Sequence, residues 1–418
     1  MKHRILYGKC ISEPFYDGQK LTKALIRYNT EIKGSSIVPD TYKVEGRTVL
    51  DVYCVRSMDD LQRCNQSDTI LLVLDLRDKN AYTAPENPQP SAEEKKAYKG
   101  NDRLWFVGRS RDFLFLDIIQ VKEIRNADDE VIASGLQVKT SMEENIASDR
   151  FEQFFYGKYE YNLFIPSDYD PYRKYPLVLF IGDATSKGDD HRVSLELGLG
   201  PVCWLDEQIQ KSDPCFVLVP IFPQTGKNAN SSYVSFPMTD IYYKMCKEVE
   251  KTYSIDPDRI YTTGQSMGCM NSYELMFRYP GYYAAALCVS GHWDRYKIAS
   301  CAKRKQLIWS IASAKDGGAF PCYLETKELL DEKNIAYQWD EVDGSKPIGE
   351  LDEIFSRLGD QPASFRFTLY EKDSSLRKGQ EDECFSAHYS GWWLTYRIKA
   401  VLLWLLKQRR KEVSYELY

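Results

Sequence analysis

One pentapeptide in the chain, Gly264-Gln265-Ser266-Met267-Gly268, matches G-x-S-x-G, and the match occurs once. The apolar and β-branched run RIYTTG (259–264) precedes it. Helical periodicity follows in MNSYELMFRYP (270–280), with Met270, Tyr273 and Phe277 on one face and Pro280 as a stop. A glycine-flanked serine between a strand and a helix is the setting of a nucleophile elbow. The tight turn pushes the hydroxyl out of the sheet, and the glycines leave room for the strand and helix to cross closely. The helix N-terminus adds free N–H groups and the positive end of its dipole. Ser266 is therefore the candidate nucleophile; the plain alternative is a βα turn whose serine does no chemistry.

A serine hydroxyl needs a base, and the base needs an orienting acid. The four histidines are His3, His191, His292 and His388. With the chain order serine, acid, histidine that accompanies an elbow, only His292 and His388 follow the nucleophile. His388 lies in the polar stretch ECFSAHYSG, read as a loop between the last strand and a C-terminal helix, and is the candidate base. His292, at the end of an earlier strand, is the alternative base or a pocket residue. The acid belongs after the strand QLIWSIAS (306–313), where AKDGGAFP offers Asp316; Asp294 in SGHWD is the rival, and an Asp-Gly pair such as that at Asp316 is also an ordinary turn. An oxyanion hole requires two backbone N–H groups. Met267, just after the nucleophile, should supply one. The loop after the first buried strand, FIGDATSKGDD (180–190), should supply the other, near Asp183 or Ala184. Gln265, Trp204, His292 and Trp293 are candidate substrate-binding residues, and Trp392 and Trp393 are further rings near the presumed site; core packing is an equal alternative for each of these rings.

The elements that must position these residues change character along the chain. Up to about residue 145, β-branched and aromatic runs (23–29, 47–55, 69–77, 103–110 and 113–124) alternate with Gly, Asn, Asp and Pro clusters, which predicts an all-β sandwich. The charged, proline-bearing stretch 86–102 reads as an exposed loop. From 146 to 418 strands alternate with helices, the pattern of an α/β fold with a mainly parallel sheet. The runs 159–166, 175–181, 215–220, 259–264, 284–291, 306–313 and 365–371 read as strands. Segments 238–253 and 396–412 read as helices, the latter with a basic last turn.

Composition bounds the rest. The chain has 418 residues, 55 Lys and Arg against 61 Asp and Glu, and a formal charge of −6, so no electrostatic pull toward nucleic acid is expected. No window is long and apolar enough for a membrane helix, and the N-terminus lacks the apolar run of a signal peptide. The 11 cysteines are scattered, without C-x-x-C pairs, and read as buried reduced thiols, which predicts a cytoplasmic location.

Three segments, YNLFIPSDYDPYRKYPLVLFIGDA, YTTGQSMGCMNSYELMFRYP and AHYSGWWLTYRIKAVLLWLL, resemble the α/β-hydrolase fold. The likeness is to esterases of the polyhydroxybutyrate-depolymerase-like and "predicted peptidase" group, and it implies an immunoglobulin-like N-terminal domain. Residue by residue it implies Ser266 as nucleophile, Asp316 as acid and His388 as base. The chain departs from that group at the oxyanion loop, where Gly182-Asp183-Ala184-Thr185 stands in place of H-G-x-G. A carboxylate pointing into the hole would oppose an oxyanion; a backbone N–H is indifferent to the side chain.

The expectation is a serine esterase that takes a small-molecule ester and needs no metal or organic cofactor. A serine peptidase of short peptides and a binding protein with a degenerate hydrolase domain are the alternatives. The β domain, without any chemical constellation, is expected to support the hydrolase domain or form a homo-oligomer interface.

Overall fold

The computed structural model describes residues 3–84, 115–186, 190–221, 236–376 and 384–410. The strand expected at 103–110 and the loop expected at 86–102 lie outside the described residues. The chain divides into two compact units, and the division near the middle falls between Arg150 and Phe151.

The first unit is built of strands. Its larger sheet has the order β11-β1-β2-β6-β4-β5, with β1 Ile5–Phe15, β2 Gly18–Lys33, β4 Val49–Val55, β5 Arg63–Cys64, β6 Gln66–Leu74 and β11 Met142–Asn145. A second sheet orders β10-β7-β3, with β3 Tyr42–Val44, β7 Asp117–Gln120 and β10 Gln137–Lys139, and β8 Ile124–Arg125 pairs antiparallel with β9 Val131–Ile132. Leu21, Ile26, Val52, Ile70 and Leu72 of the larger sheet share a buried cluster with Val44 and Ile118 of the smaller one, which makes the unit a sandwich. β11 pairs in parallel with β1, from Lys9↔Met142 to Ser12↔Asn145, and ties residues up to 145 to this unit. β1 was not anticipated: Gly8 and Lys9 break its apolar pattern. The structure absorbs Lys9 by bonding its ammonium to Met58 O at 3.1 Å and Glu144 Oε2 at 2.7 Å.

The second unit centres on a nine-stranded sheet ordered β12-β13-β15-β14-β16-β17-β18-β20-β19. Its strands are β12 Phe151–Tyr156, β13 Tyr159–Phe164, β14 Tyr175–Ile181, β15 Phe216–Pro220, β16 Ile255–Gln265, β17 Ala285–Val289, β18 Leu307–Ser313, β19 Gln338–Val342 and β20 Phe365–Tyr370. β13 runs antiparallel to β12 and β15, and the remaining neighbours are parallel. Strands β14, β15, β17, β18 and β20 are buried along their whole length, which is why they read as continuous apolar runs. β19 went unread because an edge strand, QWDEV, needs little apolar character.

Helices cover both faces. They are α1 Glu207–Ser212, α2 Phe236–Thr252, α3 Met267–Arg278, α4 Arg295–Lys303, α5 Ala319–Glu332, α6 Ile348–Gly359, α7 Cys384–Thr395 and α8 Lys399–Lys407. On one face Tyr242, Met245 and Val249 of α2 and Tyr273 and Met276 of α3 join a core with Leu177, Leu179, Phe216, Leu218 and Ile260. On the other, the C-terminal helices bring Tyr396 against Phe180 (ring centroids 5.8 Å apart) and Trp404 against Trp309 (5.1 Å). Truncating any of these fully buried leucines to Ala should cost about 2–5 kcal/mol. This is the α/β-hydrolase fold, joined to an N-terminal β-sandwich.

Two expectations are corrected here. The stretch around His388 is helix α7, not a loop. Its apolar residues Ala387, Trp392 and Leu394 are buried, and Gly391 permits the close approach, since a Cβ there would collide with Ser290 Oγ. Helix α8 ends at Lys407 rather than running to 412. Gln408 is extended, and Arg410 leaves the helix to pair with Asp258, its N–H donating to Asp258 O at 2.8 Å. No helix among the described residues is long and apolar enough to cross a membrane.

Candidate active site

Asp183, Ser266 and Asp316 follow the carboxyl ends of the parallel strands β14, β16 and β18, where α/β sheets place their ligands. β16 is the central strand of the nine. It ends at Gln265, and α3 begins at Met267, leaving Ser266 alone in the turn. Ser266 has φ 52° and ψ −114°, a left-handed conformation that a non-glycine residue holds only when its surroundings impose it. The imposition is visible. Ser266 N–H donates to Val289 O at 3.0 Å. The two motif glycines press on the end of β14: a Cβ at Gly268 would overlap Ile181 O, and one at Gly264 would come within 2.5 Å of the same oxygen. Ser266 caps α3 without using its side chain, so Oγ is left for other work.

That oxygen meets His388 of α7. His388 Nε2 lies 2.9 Å from Ser266 Oγ, and His388 Nδ1 lies 2.7 Å from Asp316 Oδ2. An ionised carboxylate only accepts, so Nδ1 carries the proton and Nε2 is the acceptor for the serine O–H. The imidazole is 23% exposed and the carboxylate 2%. Trp392, one turn along α7, packs edge-on against the imidazole with ring centroids 4.9 Å apart. Asp316 follows β18, and its Oδ1 accepts the N–H groups of Gly318 and Ala319, each at 3.0 Å. Burial pushes the Asp316 carboxyl up. The bond and charge of His388 and the N–H groups of Ala319 and Gly318 outweigh it and hold the carboxyl below the ordinary aspartate value.

The rival acid does something else. Asp294 is the N-cap of α4 and accepts from Tyr296 N at 2.9 Å and Lys297 N at 3.0 Å. His292 is exposed beside the Asp316 turn: a Cβ on Gly318 would come within 3.2 Å of His292 Nδ1 and 3.6 Å of Asp316 Oδ1.

The loop after β14 carries the departure from H-G-x-G. The Asp183 carboxylate is buried and already engaged: Oδ1 accepts Thr185 N at 2.7 Å and Thr185 Oγ1 at 2.6 Å, and Oδ2 accepts Gln265 Nε2 at 2.8 Å. Asp183 O accepts Ser186 N at 3.1 Å and Ser186 Oγ at 2.5 Å. The N–H groups of Thr185 and Ser186 are thus consumed inside the turn. Those of Asp183 and Ala184 donate to no group among the described residues, and Met267, as the first residue of α3, has no intrahelical acceptor.

Two of the candidate substrate-binding residues are buried. Trp204 is fully buried, with its indole N–H donating to Gly200 O at 3.0 Å, and is a core ring. Gln265 is 1% exposed and spends its amide on Asp183. Trp293 is half-buried and bonds Glu274 Oε2 at 2.7 Å. Sequence reasoning missed Thr185 and Ser186. The only available signal was the hydroxyl residues two and three positions after Asp183, the spacing of an Asx-type turn. Among the described residues no group of three or more His, Cys, Asp or Glu is placed to hold a metal ion.

Residues 9–133 match the family model of the esterase Ig-like N-terminal domain. No curated protein matches the sequence. Among solved structures, a thermostable esterase superposes with a TM-score of 0.72 at 24% identity, over 97% of this chain and 100% of that one. The feruloyl esterase module from Clostridium thermocellum, complexed with sinapinate, gives a TM-score of 0.38 at 14% identity, over 64% of this chain and 90% of its own. A ferulic acid esterase from Anaeromyces mucronatus gives 0.37 at 13% identity, over 60% and 91%. The chain thus joins an N-terminal domain that matches the esterase Ig-like family to an α/β-hydrolase fold shared over its length with a thermostable esterase.

Proposed function

We propose that the protein is a serine esterase that cleaves carboxylic esters through an acyl-enzyme. The observation that carries the reading is the continuous chain Ser266 Oγ–His388 Nε2–His388 Nδ1–Asp316 Oδ2, with contacts of 2.9 and 2.7 Å, at the end of the central strand. The esterase Ig-like match and the fold shared with a thermostable esterase support it.

In this reading Ser266 Oγ attacks the ester carbonyl while His388 Nε2 takes its proton. Asp316 holds the ring in the tautomer that allows the transfer and stabilises the imidazolium that forms. The developing oxyanion accepts from Met267 N–H and from the open N–H groups at Asp183 and Ala184. His388 returns the proton to the leaving alkoxide, and water repeats the sequence on the acyl-serine. The β domain, matched to a family named for esterases, serves as a support or an oligomer interface.

An ester is favoured over an amide because an alkoxide leaves with little help, whereas an amine must be protonated as it departs. The test compares kcat/KM for a p-nitrophenyl ester and a p-nitroanilide with the same acyl group. The ester should be faster by at least about 10², the order that general acid catalysis contributes; equal values would move the assignment to a peptidase.

A further inference from the structure

Gln265 precedes the nucleophile on β16, and Asp183 lies on the oxyanion loop after β14. The ladder between these strands stops at Ile181↔Gly264. Past that point the two segments are joined by the hydrogen bond from Gln265 Nε2 to Asp183 Oδ2 at 2.8 Å, with donor and acceptor both buried. We propose that Asp183 and Gln265 are a positioning pair. Their hydrogen bond sets the distance between the nucleophile elbow and the open N–H groups at Asp183 and Ala184. This rests on the esterase reading above.

Three features make the bond more than packing. First, Asp183 organises the loop at both ends of its residue: its carboxylate takes Thr185 N and Oγ1, and its carbonyl takes Ser186 N and Oγ. Four hydrogen bonds inside the turn couple the carboxylate to the backbone, so a displacement of the carboxylate would carry the backbone N–H groups with it. Second, the bond joins the loop to the residue adjacent to Ser266, so nucleophile and loop move as one body. Third, the carboxylate is drawn toward Gln265 and Thr185. A negative charge beside a developing oxyanion would oppose catalysis, and three donors hold it in another direction. The side chain that seemed to conflict with an oxyanion hole is what shapes it.

Gln265→Glu keeps the shape and sets carboxylate against carboxylate. The double variant Asp183→Asn with Gln265→Glu restores a bond of reversed polarity. The asparagine oxygen can still accept from Thr185, while its amide donates to the glutamate. An oxyanion donor contributes about 10²–10³ in kcat, so Gln265→Glu should lower kcat on p-nitrophenyl acetate by about 10-fold or more with KM little changed, and the double variant should recover most of that loss.

The specific readout is the rate ratio between an ester and its thionoester. Sulfur accepts hydrogen bonds poorly, so a working hole favours the oxygen substrate. Gln265→Glu should compress the ratio, and the double variant should widen it again; a purely structural loss would slow both substrates alike. Should Gln265→Glu fail to fold by circular dichroism, Gln265→Met, which keeps the volume and removes the donor, is read in its place. A wild-type kcat and ratio in the single variant, with Ser266→Ala inactive, would overturn the positioning pair alone. An active Ser266→Ala would overturn the esterase reading beneath it.

Discussion

Asp316 and His388 are 72 residues apart in sequence, on different elements, and their side chains meet at 2.7 Å. The other carboxylate oxygen of Asp316 accepts two backbone N–H groups, which orients Oδ2 toward His388. Asp316→Asn should therefore lower kcat by about 10⁴, through loss of the tautomer that Ser266 needs. Asp294→Ala should leave kcat within a few-fold and cost about 1 kcal/mol of stability as a lost helix cap. Steady-state kinetics beside urea denaturation of both variants checks the pair; a damaging Asp294→Ala with an active Asp316→Asn would reverse the assignment.

The motif glycines should show their role in stability rather than in chemistry. A Cβ on Gly268 overlaps the carbonyl of Ile181, a backbone atom in a buried strand that cannot swing aside. Gly268→Ala should cost about 3 kcal/mol or more, or leave no soluble protein. Gly349→Ala is the control: it lies in α6 with nothing within 4 Å of a new Cβ. It should be neutral or gain up to about 1 kcal/mol from helix propensity.

Stability should depend on pH through Asp316. Its carboxyl is held below its ordinary value of 3.8 in the folded protein. A group with a depressed native pKa stabilises the folded state above its unfolded pKa and loses that contribution as pH falls through the native one. The difference in urea midpoint between wild type and Asp316→Asn should thus be constant from about pH 7 to 5 and shrink below about pH 4. A difference that grows on acidification would contradict the shift.

That Ser266, Asp316 and His388 would be brought together was legible in the sequence, for reasons that can be named. Ser266 stood out as a candidate because an elbow needs glycines at fixed positions and strands and helices leave different periodicities on either side. Asp316 and His388 followed as candidates from chain order and from strands so buried that they read as apolar runs. The helix around His388 was hidden because Ser386, Ser390 and Gly391 look like loop residues. Gly391 suits a helix that must press against Ser290. The burial of Trp204 and Gln265 was not decided by the sequence, because a sequence does not show which way a ring or an amide faces. The turn built on Asp183 depends on hydrogen bonds between neighbours and a partner 82 residues away, and no periodicity records that.

An activated Ser266 should displace fluoride from a fluorophosphonate and keep the phosphonyl group on Oγ. The direct measurement is intact-protein mass spectrometry after a fluorophosphonate probe, with the modified peptide mapped. The wild-type protein should gain one adduct, on Ser266; Ser266→Ala should gain none, and His388→Ala should label slower by about 10³ or more. An unlabelled wild type, or a label that persists in Ser266→Ala, would show that Ser266 is not the activated nucleophile.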